Sequence, residues 1–188
     1  MTKVSKFSIF FLLSNSLPLI LFGFTSTQSI IIVYHAINAS DKSIYELCEA
    51  FLGIFSALIV SSKYRMVFRR HFTLFAVVCF LFDGITEVYL LYDPFIKGLF
   101  DAVVTSLFMP IFWNINDYFI NKFYVDVEER IVFQSWLRTT QTLSSSFGAA
   151  LVFYTTVKVD VLVCLSICAS ALWYIWAILM IRIMRSKI

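Results

Sequence analysis

Only five glycines and three prolines punctuate the 188 residues, and 14% of the side chains are charged against 60% that are hydrophobic. Soluble domains carry about 25% charged and about 45 to 50% apolar residues, so a water-soluble core is excluded. Histidine is scarcer still. His35 and His71 fall near helix ends in different loops on opposite sides, where they cannot share a metal ion. The four cysteines, Cys48, Cys79, Cys164 and Cys168, lie inside apolar runs without a Cys-x-x-Cys pair, the pattern of packed thiols. No metal or other cofactor is implied. No basic surface with interleaved stacking aromatics stands outside the apolar runs, which excludes nucleic acid as a partner.

What fills the chain is long hydrophobic runs. A bilayer core takes roughly 20 helical residues per crossing, and six runs reach about that length: 7–34, 44–62, 72–92, 98–120, 131–156 and 161–181. Unbroken runs of this kind do not match the alternating segments of about 10 residues in an outer-membrane barrel. The expected fold is therefore all-α, a polytopic membrane protein with residues 1–188 as a single six-helix transmembrane domain in the lipid bilayer. No Ala-x-Ala cleavage site follows the first run, and its apolar character resumes at Ile30 beyond the polar patch 25–29, so it reads as a retained helix with a kink at Pro18.

Short loops on the cytoplasmic side hold most of the positive charge. With six crossings, one side carries Lys3, Lys6, Lys63, Arg65, Arg69, Arg70, Lys122, Arg130, Arg182, Arg185 and Lys187, and the other only Lys42, Lys97 and Lys158. Both termini are then cytoplasmic, in a multi-pass protein of a bacterial inner membrane. Small residues four apart, Gly53 with Ala57 in the second span and Ser144 with Gly148 in the fifth, mark these two spans for the closest helix contacts.

Charge within the runs is the sharper signal, because a carboxylate at mid-bilayer costs roughly 2.5 to 3.5 kcal/mol even on a lenient scale. Asp83 sits near the middle of the third run with Glu87 one turn on, facing a bundle interior or a water-filled path. Glu46 and Glu49 share a face at the start of the second run, where a first-turn dipole role outweighs a functional one. Asn15 in the first run, and Asn114, Asn116, Asp117 and Asn121 in the fourth, either line a pathway or fasten helices. Arg138, flanked by Gln134 and Gln141, either snorkels, pairs with Asp117, or contacts an anion in a central cavity. The candidate substrate or proton pathway is thus Asn15, Asp83, Glu87, Asn114, Asn116, Asp117, Arg138 and Gln141.

Two stretches resemble the six-helix half of a major facilitator superfamily transporter. Residues 53–70, GIFSALIVSSKYRMVFRR, end in a basic turn in which Lys63, Arg65, Arg69 and Arg70 occupy the place of that family's Gly-x-x-x-Asp-Arg-x-Gly-Arg-Arg loop, without its Asp and second Gly. Residues 126–130, DVEER, with Glu128, Glu129 and Arg130, precede a helix rich in small residues that ends near Gly148, similar to the family's connection from fourth to fifth helix. The resemblance implies first and fourth helices lining a path, second and fifth flanking it, and third and sixth outermost. It also implies a second half, since such transporters rock two bundles about a midplane site.

The leading expectation is a secondary transporter-like protein moving a small solute, possible proton coupling included, as a half-size unit that forms a homodimer or joins a partner membrane protein. A non-transporting interaction protein, such as an immunity or exclusion factor or a transporter remnant, fits the low glycine count. The substrate-binding membrane subunit of a vitamin importer fits the chain size. An enzyme is not expected: Glu128-Glu129-Arg130 is similar to the start of some intramembrane proteases, but no His is embedded to serve them.

Overall fold

The computed structural model describes residues 6–186, with side chains from residue 9, so Lys3, Lys187 and the side chain of Lys6 lie outside the described residues. Those described form helices and no strand: α1 (Lys6–Ala36), α2 (Ala39–Ser61), α3 (Arg65–Arg70), α4 (Phe72–Tyr89), α5 (Pro94–Ala102), a π-helical stretch (Val103–Phe108), α6 (Met109–Phe123), α7 (Val127–Leu151) and α8 (Val159–Ser186). Among the described residues, five helical rods are long and apolar enough to cross a membrane: Ile9–Ala36, Ala39–Ser61, Phe72–Tyr89, Pro94–Phe123 and Val159–Ser186. This is the make-up of a multi-pass membrane protein. The fifth expected run, α7, falls short of that apolarity because Gln134, Arg138, Gln141 and a string of Ser and Thr interrupt it.

Capping residues set two helix starts earlier than hydropathy places them. Asn38 accepts the Asp41 amide at 3.0 Å and opens α2 at Ala39, so Glu46 and Glu49 lie two turns or more inside the helix, not in its first turn. Asp93 accepts the amides of Phe95 and Ile96 at 2.9 and 3.2 Å, and Pro94 takes the first helical position of α5. Lys97 consequently lies within the rod and is 1% exposed. It does not belong to a loop, and the lysines expected opposite the basic end reduce from three to two, Lys42 and Lys158.

The rods alternate in direction. Leu13 of α1 borders Trp136 and Thr140, Gly23 meets Ser145, and Gln28 donates to the Thr155 carbonyl at 3.0 Å, so α1 and α7 run parallel. Trp176 of α8 donates to Ser14 at 3.1 Å, while Val33 shares a core with Leu162, which makes α8 antiparallel to α1. Phe80 pairs with Tyr174 and Asp83 with Ser170, setting α4 antiparallel to α8. Rod Pro94–Phe123 runs against α4 and with α2.

The packing has an internal symmetry. Exchanging the first three rods (α1, α2, α4) for the last three (Pro94–Phe123, α7, α8) maps α7 on α1 onto α2 on Pro94–Phe123, maps α8 on α1 onto α4 on Pro94–Phe123, and returns α4 on α8 to itself. Each exchanged pair is opposite in direction, as in an inverted-topology repeat. The α6–α8 contact has no counterpart of similar extent between α1 and α4. In this arrangement α2, Pro94–Phe123, α1 and α7 form a row with α4 and α8 behind it.

Gly23 and Gly148 hold the α1–α7 contact. A Cβ on Gly148 would fall 1.9 Å from the Ile20 carbonyl oxygen, and one on Gly23 would fall 2.1 Å from that of Ser145. The fifth run is thus closely packed as expected, through a glycine of the first run that spacing alone did not mark. The second run is not. Nothing lies within 4 Å of a Cβ on Gly53, and only 6% of the apolar window of α2 is buried, against 50% for α8. Cys79 packs in the core, whereas Cys164 and Cys168 face outward on α8, so the packing expected of the thiols does not extend to these two.

Candidate functional site

Lys97 is the centre of the most polar part of the interior. Its ammonium lies 3.0 Å from Glu87 on α4 and 2.6 Å from Asp101, one turn along its own helix. Asp83, one turn before Glu87, accepts a hydrogen bond from Ser170 of α8. The second carboxylate oxygen of Glu87 is buried without a hydrogen bond among the described residues. Two carboxylates therefore hold one lysine where water is scarce, and a third, Asp83, lies one helical turn from Glu87. The carboxylates in this part of the interior outnumber the lysine.

The π-helical stretch extends this network sideways. Pro110 has no amide with which to close a normal turn back to Ser106, and the helix widens just upstream. Thr105 donates to the Asp101 carbonyl at 2.8 Å and lies 3.3 Å from Glu49 on α2, whose carboxylate also accepts from Tyr45 at 2.8 Å. Glu49 thus bonds across to the π-helical stretch at a half-buried position and is not a partner of a helix end.

The expected pathway residues separate into two groups. Asp83 and Glu87 belong to the lysine cluster. Towards the basic end lie Asn15 and Asn116, which are 0% and 1% exposed with no partner for either amide atom among the described residues. Gln141 has an unpartnered amide nitrogen there as well. Between the two groups stands an aromatic layer, in which Phe112 packs on Phe72, Trp173 and Tyr174 at 5.2, 4.8 and 5.8 Å between ring centroids.

Asp117 and Arg138 face each other across α6 and α7 at 3.5 Å, the pairing that sequence left as one of three alternatives. Arg138 also lies over the Trp113 ring at 5.1 Å, and Gln134 donates to Asn121 at 3.2 Å. The two side chains of the ion pair are 56% and 42% exposed. They border a groove of about 370 Å³ with Ile131, Gln134 and Ser135. Asn114 points elsewhere, accepting a hydrogen bond from Arg69 at 3.2 Å.

The loop residues have local roles. Asp126 accepts the Glu128 and Glu129 amides at 2.7 and 3.4 Å and caps α7, with both glutamates in the first turn. Arg130 follows them, half-buried. Lys63, just before α3, and Arg65, its first residue, are exposed.

Sequence reading missed Lys97, Asp101 and Ser170. The signal available was the i, i+4 spacing of Lys97 and Asp101 behind the Asp93-Pro94 helix start. Comparison with protein-family models, curated proteins and solved structures found no match, so the reading of this site rests on its own geometry.

Proposed function

We propose that the chain is a half-size unit of a secondary transporter, similar in plan to one half of a major facilitator superfamily protein, and that two copies move a small solute coupled to protons. The inverted three-plus-three packing carries this reading, because it is the plan on which each half of such transporters is built. The resemblance of residues 53–70 and 126–130 supports it. The lysine cluster supplies the acid groups that proton coupling needs.

In this reading α7 is a sixth crossing. It lies beside α1 from the level of Leu13 to that of Gln28, and the 28 helical residues Ile9–Ala36 of α1 rise about 42 Å at 1.5 Å each. Its polar residues are tolerated because lipid does not surround them. Six crossings put both termini on the basic side, in the cytoplasm of a bacterial cell. The exposed Arg138–Asp117 pair then faces a water-filled gap between two copies in the same orientation, related by an axis along the membrane normal.

The purified chain in liposomes tests this directly. An imposed inward proton gradient should drive uptake by wild type, and Asp83→Asn should remove it with membrane insertion unchanged. Full uptake by Asp83→Asn would remove that carboxylate from the mechanism. Absence of gradient-driven uptake by wild type across a broad solute panel would favour the non-transporting interaction protein.

A further inference from the structure

The basic end contains a second polar site, separate from the lysine cluster. Arg69, Arg70 and Arg185 line a cavity of about 240 Å³ with Met66, Tyr118 and Phe119. That space holds several waters and is enough for a phosphate group. Arg69 lies with its guanidinium 3.9 Å above the Tyr118 ring and one nitrogen on Asn114, while its Nε is buried without a partner among the described residues. Arg185 is held in place by donating to the Arg69 carbonyl and by lying 4.8 Å over Phe119. No carboxylate lines the cavity, and none of the three arginines has an ion pair among the described residues.

Three positive groups, Arg69 and Arg185 held in place and Arg70 exposed beside them, are poorly balanced without an anion. Burial, and then the charge of Arg65, pull the pKa of Arg69 below its ordinary value. Arg70 also lines a second groove of about 440 Å³, with His71, Thr73, Leu74 and Val77 on α4, and both of these apolar side chains are exposed. The polar cavity and this apolar groove along a membrane rod thus share Arg70 as a common wall. We infer that the basic end binds an anionic phospholipid, with Arg69, Arg70 and Arg185 around the phosphodiester and an acyl chain along Leu74 and Val77. Arginine forks match phosphate oxygens in geometry as well as in charge. The cavity and the groove together fit a lipid better than a free phosphate, which would use the cavity alone.

Native mass spectrometry of the full chain, exchanged between phosphatidylglycerol and phosphatidylcholine, reads this site. One phosphatidylglycerol per chain should be retained about tenfold more tightly, the scale of one charge-assisted hydrogen bond. Arg70→Gln, an exposed residue with no side-chain bond among the described residues to lose, and Arg185→Gln should each reduce that preference severalfold at unchanged helix content. Equal retention of the two lipids, or an undiminished preference in the double variant, would overturn the assignment. So would complete displacement of the lipid by inorganic phosphate at equal concentration, which would identify the ligand as soluble.

Discussion

Lys97→Met should destabilise the folded bundle by about 3 to 5 kcal/mol, the scale of removing one partner from a buried ion pair. The lysine is 1% exposed and holds Glu87 at 3.0 Å and Asp101 at 2.6 Å, so its loss leaves two facing carboxylates with no cation. Methionine keeps most of the volume, which confines the effect to charge and hydrogen bonding. Reversible unfolding in mixed micelles measures it. Combining Lys97→Met with Glu87→Gln and Asp101→Asn should recover most of the stability, since the two carboxylates that held the ammonium are then neutral. A triple variant as unstable as the single one would mean that Lys97 acts by packing instead.

Gly148→Leu should separate α1 from α7. Even the first carbon of a side chain would meet the Ile20 carbonyl oxygen at 1.9 Å and the Phe24 amide nitrogen at 2.9 Å, both backbone atoms that cannot turn aside. Overpacking typically costs about 1 to 3 kcal/mol, and a clash of two helix backbones belongs at the upper end of that range. The same substitution at Gly53, with nothing within 4 Å, should leave stability within about 0.5 kcal/mol. Parallel unfolding curves for the two variants compare them. Equal losses would show that the α1–α7 contact is not where the bundle is held.

Much of this architecture is legible in the sequence because length and apolarity act locally. The runs containing Phe72 and Val161 become α4 and α8 with ends shifted by a few residues. Asp83 and Glu87 declare themselves by charge in an apolar run, and both are buried. Lys97 does not, because hydropathy cannot distinguish a lysine flanking a span from one drawn inward by Glu87 and Asp101, and the deciding features were the Asp93 cap and Pro94. Glu49 was assigned to a helix start for the same reason, since the start depends on Asn38, well outside the apolar run. Small-residue spacing marked α7 and α2 alike. Only the packing of whole helices distinguishes Gly148, against the α1 backbone, from Gly53 on an open face. Sequence offers the Arg138–Asp117 pair as one of three alternatives, because both approach the same end from neighbouring runs, and only the packed helices select it.

A half-size unit needs a second half, and α2 offers an almost wholly unburied rod at one end of the row while Arg138 and Asp117 stay exposed near the other. The most direct measurement is the mass of the purified chain in lipid nanodiscs. The proposed function predicts a particle containing two 21.8 kDa chains. A monomer that remains single as its density in the lipid is raised would contradict it.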